Sequence, residues 1–437
     1  MPESTNSKLE FGDQKALEGS LSELAGGLRL SGILKIANEV RALVATGRSV
    51  VNLTVGDFDP RYFPIPSGLL EGIKSALSAG YTNYPPQPGL LALREAVRDY
   101  IERSSGVHYP VESILVTSGG RPVIYSAFRI LVSPGEKVVY SVPSWQNDSY
   151  SWLSGAREVV ITSKAGNGFQ PTLEEIAPHL ADARMLCLCS PGNPTGTAMD
   201  PDVFKSILQA VVAENRRRER SKNQKPLFVL YDQIYGGIRV RNKKHSYAAG
   251  LVPESARYVI TMDGVSKAFA GTGLRVGWLI AAPAIVSKMG ELLAHMGAWA
   301  PHAEQAGVAK WLRDEQGIVE FRKEMDDKLA ERLQTVYDGF AKMKADGYPV
   351  DCINPEGAIY VSLQLAIKGK TIDGKVLNTN EEIRSVLLEK TGVAIVQFQA
   401  FGLAEDSGWF RLSVGAVSLD QIREMFPRIR AMLDQVR

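Results

Sequence analysis

Between residues 113 and 266 the chain alternates short apolar runs with longer amphipathic ones. The short runs are SILVTSGG (113–120), KVVYSVPSW (137–145), REVVITS (157–163), ARMLCLCSPG (183–192), PLFVLYDQIYGG (226–237) and ARYVITMDGVS (256–266). Each reads as a strand bounded by turn residues. RPVIYSAFRILVSPG (121–135), LEEIAPHLA (173–181) and DPDVFKSILQAVVAENRRRER (200–220) read as helices between them. Parallel strands need such crossovers, and helices on both faces let the strands be apolar throughout. The pattern therefore predicts an α/β fold with a mostly parallel sheet flanked by helices. In such sheets ligands bind beyond the carboxyl ends of the strands.

A chain of 437 residues exceeds one simple core, so two domains are expected. Residues 1–25 read as a mobile arm. LSGILKIANEVRALVATG (30–47) has helical spacing and ends on a glycine, and VVNLTVGDF (50–58) reads as a strand. Helices are expected at 67–80 and 90–106, joined by the rigid loop NYPPQPG (83–89). After about residue 302 long helical stretches dominate, one spanning roughly 306–343. GAIYVSLQL (357–365), VAIVQF (393–398) and WFRLSVG (409–415) then read as strands, and 419–436 as a closing helix. The expected division is an arm at 1–25, the start of a small α+β domain at 26–60, a large domain at 61–302, and the rest of the small domain at 303–437.

Charge excludes some functions. Lys plus Arg is 50 against 48 acids, a net charge of +2, which makes no case for nucleic acid or an anionic membrane. No apolar run reaches the roughly 18 residues of a transmembrane helix. The polar, acid-bearing start is not a secretory signal. Three cysteines, Cys187, Cys189 and Cys352, argue against a disulfide framework and for a reducing, cytoplasmic setting, and no metal site is expected. RRRERSK (216–222) reads as a solvated loop at a helix end.

Chemistry-bearing residues gather at the strand ends. VSKAFAGTGLRVGW (265–278) places Ser266, Lys267 and Arg275 together: a hydroxyl, an amine suited to attack an aldehyde, and a guanidinium suited to a phosphate. TSGGR (117–121) joins a strand to a helix, where the N–H groups of Gly119 and Gly120 face an anion or merely close a tight turn. SPGNPTG (190–196) presents Asn193 or is a plain turn. YDQIYGG (231–237) ends an apolar strand with Asp232 and Tyr235; a buried Asp232 needs a partner, either a ligand cation or a structural cap. Arg411, inside WFRLSVG, invites a bidentate carboxylate or forms a structural ion pair. Trp145 is core packing or a platform for a flat ring.

Taken in order, NPTG, D-x-x-Y, S-K-x7-R and F-R-L-S resemble the class I/II aminotransferases, the fold-type I pyridoxal phosphate enzymes, and especially their bacterial aspartate aminotransferase branch. The resemblance covers about residues 30–435. It implies a seven-stranded type of sheet, pyridoxal 5'-phosphate as cofactor, and a ping-pong exchange of an amino group between an L-amino acid and a 2-oxo acid such as 2-oxoglutarate. By resemblance Lys267 is the Schiff-base lysine and proton shuttle, and Asp232 keeps the ring nitrogen protonated. Asn193 and Tyr235 bond the ring oxygen, and Trp145 stacks on the ring. Ser266, Arg275, Gly119 and Gly120 cradle the phosphate. Tyr84 resembles a tyrosine that reaches the neighbouring subunit's phosphate, which implies a homodimer with shared sites. Arg411 and the Gly56 backbone clamp the substrate α-carboxylate. Arg121 and Ser31 resemble residues at a distal carboxylate, which favours aspartate or glutamate.

Gly271, QFQAFG (397–402), GDFDPRYFP (56–64) and a long segment at 216–225 depart from the family's wording. They bear on substrate choice more than on the cofactor. Aromatic amino acids are the next substrates to consider, with Trp145, Phe63 and Phe401 as apolar lining. The alternatives are a lyase or decarboxylase using the same lysine, and a cofactor-sensing regulator. About 25 residues ahead of the first helix are too few for the DNA-binding domain such a regulator carries.

Overall fold

The computed structural model describes residues 12–28, 32–222, 224–238, 240 and 243–437. The expected parallel strands form at 114–117, 137–142, 157–162, 183–189, 228–232 and 259–264. A seventh, Gly277–Ile280, was not anticipated. It runs antiparallel between 114–117 and 259–264, with Ile280 opposite both Ile114 and Thr261. From one edge the order is 114–117, 277–280, 259–264, 228–232, 183–189, 137–142, 157–162.

Alternation along the strands 114–117 and 277–280 feeds two cores. Leu115 and Leu279 join the cluster beneath the helices Gly120–Leu131 and Pro201–Ser221. Ile114, Val116, Trp278 and Ile280 face the helices Ser67–Ser78, Leu91–Ser105 and His302–Trp311. The 201–221 helix starts cleanly: Asp200 caps the N–H groups of Asp202 and Val203, with Pro201 as first residue. Its far end corrects the reading of RRRERSK. That run stays helical through Ser221, and Arg218 is buried, bonded to Glu214, to Leu180 O and to Lys225 O.

A third core surrounds a four-stranded antiparallel sheet of 396–397, 409–413, 360–365 and 350–352. The long helical stretch expected over 306–343, with its breaks left open, divides into His302–Trp311 and Glu315–Ala345, parted where Asp314 caps the second. The opening helix, Gly32–Ala45, sends Ile36 and Val40 into a cluster with Phe398, Phe401 and Trp409. Val51–Asn52 pairs in parallel with Val393–Ala394. In the arm, residues 14–18 and 23–26 form short helices, and Trp152 donates to Leu24 O. Among the described residues no helix is long and apolar enough to cross a membrane.

Candidate active site

The carboxyl ends of five parallel strands deliver Arg121, Trp145, Asn193, Asp232 and Lys267 to one cavity of about 260 Å³. The reversed strand begins there instead, which brings Arg275 to the same mouth. Gly56, Tyr235 and Arg411 complete the wall. A larger groove of about 790 Å³ lies nearby and holds none of the expected residues, so the chemistry belongs to the smaller cavity.

Lys267 sits on the single helical turn Val265–Ala268 and donates from Nζ to Gly56 O at 2.6 Å. Burial lowers its amine to about 8; Asp57 opposes the shift, while Arg411, Arg275 and Arg121 add to it. Asp232 ends its strand facing the cavity. Its carboxylate accepts from the Ile234 N–H at 3.0 Å and lies beside the Cys189 thiol. Burial raises it to about 6, and those two neutral donors pull it back only in part.

Where Arg275 enters the cavity, three glycines touch across adjacent strands. A Cβ on Gly277 would stand 2.9 Å from Gly119 Cα, and one on Gly264 would stand 2.8 Å from Gly277 Cα. Gly119 has φ +85°, and a side chain there would strike the Arg275 guanidinium at 2.3 Å. Of the two readings of the Gly119 N–H, an anion contact or a tight turn, the second forms: it donates to Thr117 O at 2.8 Å. Gly119 therefore makes room for the Arg275 guanidinium by being small. The first helical turn still leaves the Gly120 and Arg121 N–H groups without intrahelical acceptors. Ser266 is buried, and Arg275 donates to Thr272 O and Ser118 O.

Arg411 is 1% exposed. It donates to Asn193 Oδ1 at 3.0 Å and to Thr54 O at 2.6 Å, over the rings of Tyr360 and Phe401. Its Nε has no hydrogen-bond partner among the described residues. Tyr235 and Tyr360 share a hydroxyl–hydroxyl bond, and burial raises both phenols. Tyr360 was missed in the sequence. Its only signal was an inward position in an apolar strand, which packing explains equally well. A Cβ on Gly56 would come 2.7 Å from the Tyr360 hydroxyl, so the 56 backbone passes bare over that ring.

Arg121 stands 5.5 Å over the Trp145 ring, whose other neighbour is Phe401. Tyr84 lies off this cavity, 81% exposed and against Trp299. Phe63 lines nothing here: it packs on Phe58 beneath the Arg332 guanidinium. Ser31 lies outside the described residues. The cavity thus pairs four cationic side chains with a carboxylate whose hydrogen-bond partners are neutral. That donor set fits a flat ring with a cationic nitrogen, an aldehyde and a phosphate, beside a carboxylate-bearing substrate.

Comparison with known proteins agrees. Residues 48–429 match the family "Aminotransferase class I and II". An aspartate aminotransferase of Streptomyces avermitilis is 29% identical over 424 residues, covering 96% of this chain and 98% of that protein. An aspartate/prephenate aminotransferase of Cereibacter sphaeroides is 27% identical, covering 94% and 98%. The crystal structure of the aspartate aminotransferase from Rhizobium meliloti superposes with a TM-score of 0.86 at 26% identity, covering 95% of this chain and 99% of that one. The chain is a member of the class I and II aminotransferases, pyridoxal phosphate-dependent transferases, and within them resembles the bacterial aspartate aminotransferases.

Proposed function

We propose that the cavity transfers an amino group, in ping-pong fashion, between an acidic L-amino acid and 2-oxoglutarate. The observation that carries this is the meeting of Lys267, with its amine lowered to about 8, and Asp232, a carboxylate lacking a cationic partner, in one cavity. Pyridoxal phosphate, when bound, supplies an aldehyde carbon and an electron-drawing ring. Lys267 would hold it covalently and carry the proton taken from the substrate Cα. Asp232 would keep the ring nitrogen charged. Trp145 would cover the ring, and Asn193 and Tyr235 would bond its oxygen. Ser266, Arg275 and the first turn at Gly120 would hold the phosphate. Arg411 and the Gly56 backbone would hold the α-carboxylate. Adding an amino acid without an acceptor should bleach the lysine-bound cofactor's absorption and release one oxo acid per site. Continuous product release without acceptor would make it a lyase.

The substrate reading rests on Arg121, a guanidinium braced on Trp145 at the mouth of the cavity. Arg121→Ala should cost aspartate roughly 1.5–3 kcal/mol in kcat/KM and leave phenylalanine nearly unchanged. Equal losses would assign Arg121 to the cofactor. The second reading, aromatic substrates, draws on Trp145, Ile33 and Ile124 in the wall. The proposal includes a homodimer, because the exposed Tyr84 is free to reach a neighbour's site. Mixing Lys267→Ala with Tyr84→Phe subunits should then give heterodimers whose one working site keeps the parent's phosphate affinity, because it takes its Tyr84 from the Lys267→Ala subunit, whereas the Tyr84→Phe homodimer is weakened. A chain fully active as a monomer at nanomolar concentration would exclude the shared site. The three thiols are unpaired, in keeping with a reducing compartment.

A further inference from the structure

Lys267 rides on one helical turn, and one turn is a weak support for a reactive amine. Two side chains hold that turn from the side of the sheet away from the cavity. At its entrance Asp263 accepts from the Gly264 N–H at 2.7 Å and from the Gln233 amide at 3.1 Å. His245 Nε2 lies 3.2 Å from the Gln233 oxygen, which turns the amide nitrogen toward Asp263. At the exit Arg322, on the long helix 315–345, donates to Ala268 O at 3.0 Å, and Asp326 holds Arg322 at 2.9 Å. Asp263 is 7% exposed and the Arg322 side chain 12%.

Strand register sets the sides. Asp232 and Met262 are partners on the cavity face, so Gln233 and Asp263, one residue on, point the other way. Neither Asp263 nor Arg322 lines the cavity. The Arg322 guanidinium reaches the turn across Gly237, where a Cβ would stand 3.0 Å from its Nη1. Burial raises the Asp263 carboxyl to about 7; its bonds to Gly264 and Gln233 oppose the shift, Asp232 adds to it, and the Arg322 guanidinium opposes it weakly.

We propose that Asp263 and Arg322 are positioning residues for Lys267, a two-ended clamp that aims its amine into the cavity. The clamp rests on the reading of Lys267 as the cofactor lysine. It matters because a misplacement of about 1 Å at a reacting group costs on the order of 100-fold in rate. It also ties the lysine turn to a helix that otherwise builds the third core.

The test uses holoenzyme with pyridoxal phosphate bound and three variants: Asp263→Asn, Arg322→Met and Arg322→Met/Asp326→Leu. The double variant also replaces the carboxylate that pairs with Arg322, and so guards against misfolding from a disturbed ion pair. The expected result is a fall in kcat of roughly 10- to 100-fold. KM for the amino acid should hold within about twofold, the mark of an interaction lost at the chemical step. The visible circular dichroism of the bound cofactor should weaken while its total absorbance stays. Arg322→Lys, which keeps a donor, should recover part of both. Parent-like kcat and dichroism in Asp263→Asn and the double variant would overturn the clamp. So would losses that merely track bound cofactor and melting temperature. If the parent itself captures no pyridoxal phosphate, the proposed function fails first and takes the clamp with it.

Discussion

Lys267→Ala loses covalent capture of pyridoxal phosphate, and kcat falls by at least about 10²–10⁴-fold, the share a positioned proton-transfer group supplies. Borohydride reduction followed by mass spectrometry should find the adduct on Lys267 in the parent and none in the variant. An adduct on another lysine, or near-normal turnover, would remove Lys267 from its role. The same residue sets a pH dependence. Burial penalises the ammonium, so the amine loses its proton near 8 rather than 10.5. Only the neutral amine attacks an aldehyde. At pH 7 about a tenth of the lysine is then neutral, against fewer than about one in a thousand at the ordinary value. Capture of the cofactor by the cofactor-free protein should therefore quicken as pH rises toward 8 and level off above it. A flat profile from pH 6.5 to 8.5 would contradict the lowered amine.

Arg411→Met should weaken aspartate and 2-oxoglutarate alike, by about 2–5 kcal/mol, the cost of truncating one member of a buried charged pair. The cofactor's absorption should not change. The reason lies in what surrounds the guanidinium. Its hydrogen bonds go to Asn193 and Thr54, both neutral, and Nε has no partner among the described residues. On the proposed role, the free protein carries a buried cation with neutral acceptors, and the substrate would supply its carboxylate. An apolar residue of similar volume should leave the melting temperature of the free protein unchanged or higher. KM for both substrates and a thermal melt decide it. A melting temperature that dropped sharply with substrate affinity intact would make Arg411 a structural residue.

Much of this was readable in the sequence because period and turn chemistry are local. The apolar runs from 114 to 264 are long enough to announce themselves, and their ends carry the polar residues. Gly277–Ile280 was missed because it is four residues long and follows the lysine motif directly. Nothing local says that it reverses direction to fit between two parallel strands. Arg218 looked solvated because its partners, Leu180 O and Lys225 O, come from turns around the helix end. Tyr360 and Thr54 entered the site through pairings over a hundred residues long. The clamp on the Lys267 turn was invisible for the same reason. Phe63 was placed in the substrate pocket on aromatic character alone, and packing against Phe58 took it elsewhere.

The pairing of Val51–Asn52 with Val393–Ala394 has a consequence for synthesis. Val51 N–H bonds Gly392 O, Leu53 N–H bonds Ala394 O, and Leu53 O accepts from Ser413 N–H. The next residues supply the carbonyls that meet Arg411 and Lys267, at Thr54 and Gly56. A ribosome adds about 5–20 residues each second, so the opening segment waits tens of seconds for its partners. The seven-stranded sheet can form well before then, since its last strand ends at Ile280. The carbonyls of Thr54 and Gly56 therefore take their final places only after residues 392–413 have been made. On the proposed function, chains that stop short of Ser413 should be inactive rather than partly active, because the 51–53 segment then lacks its partners.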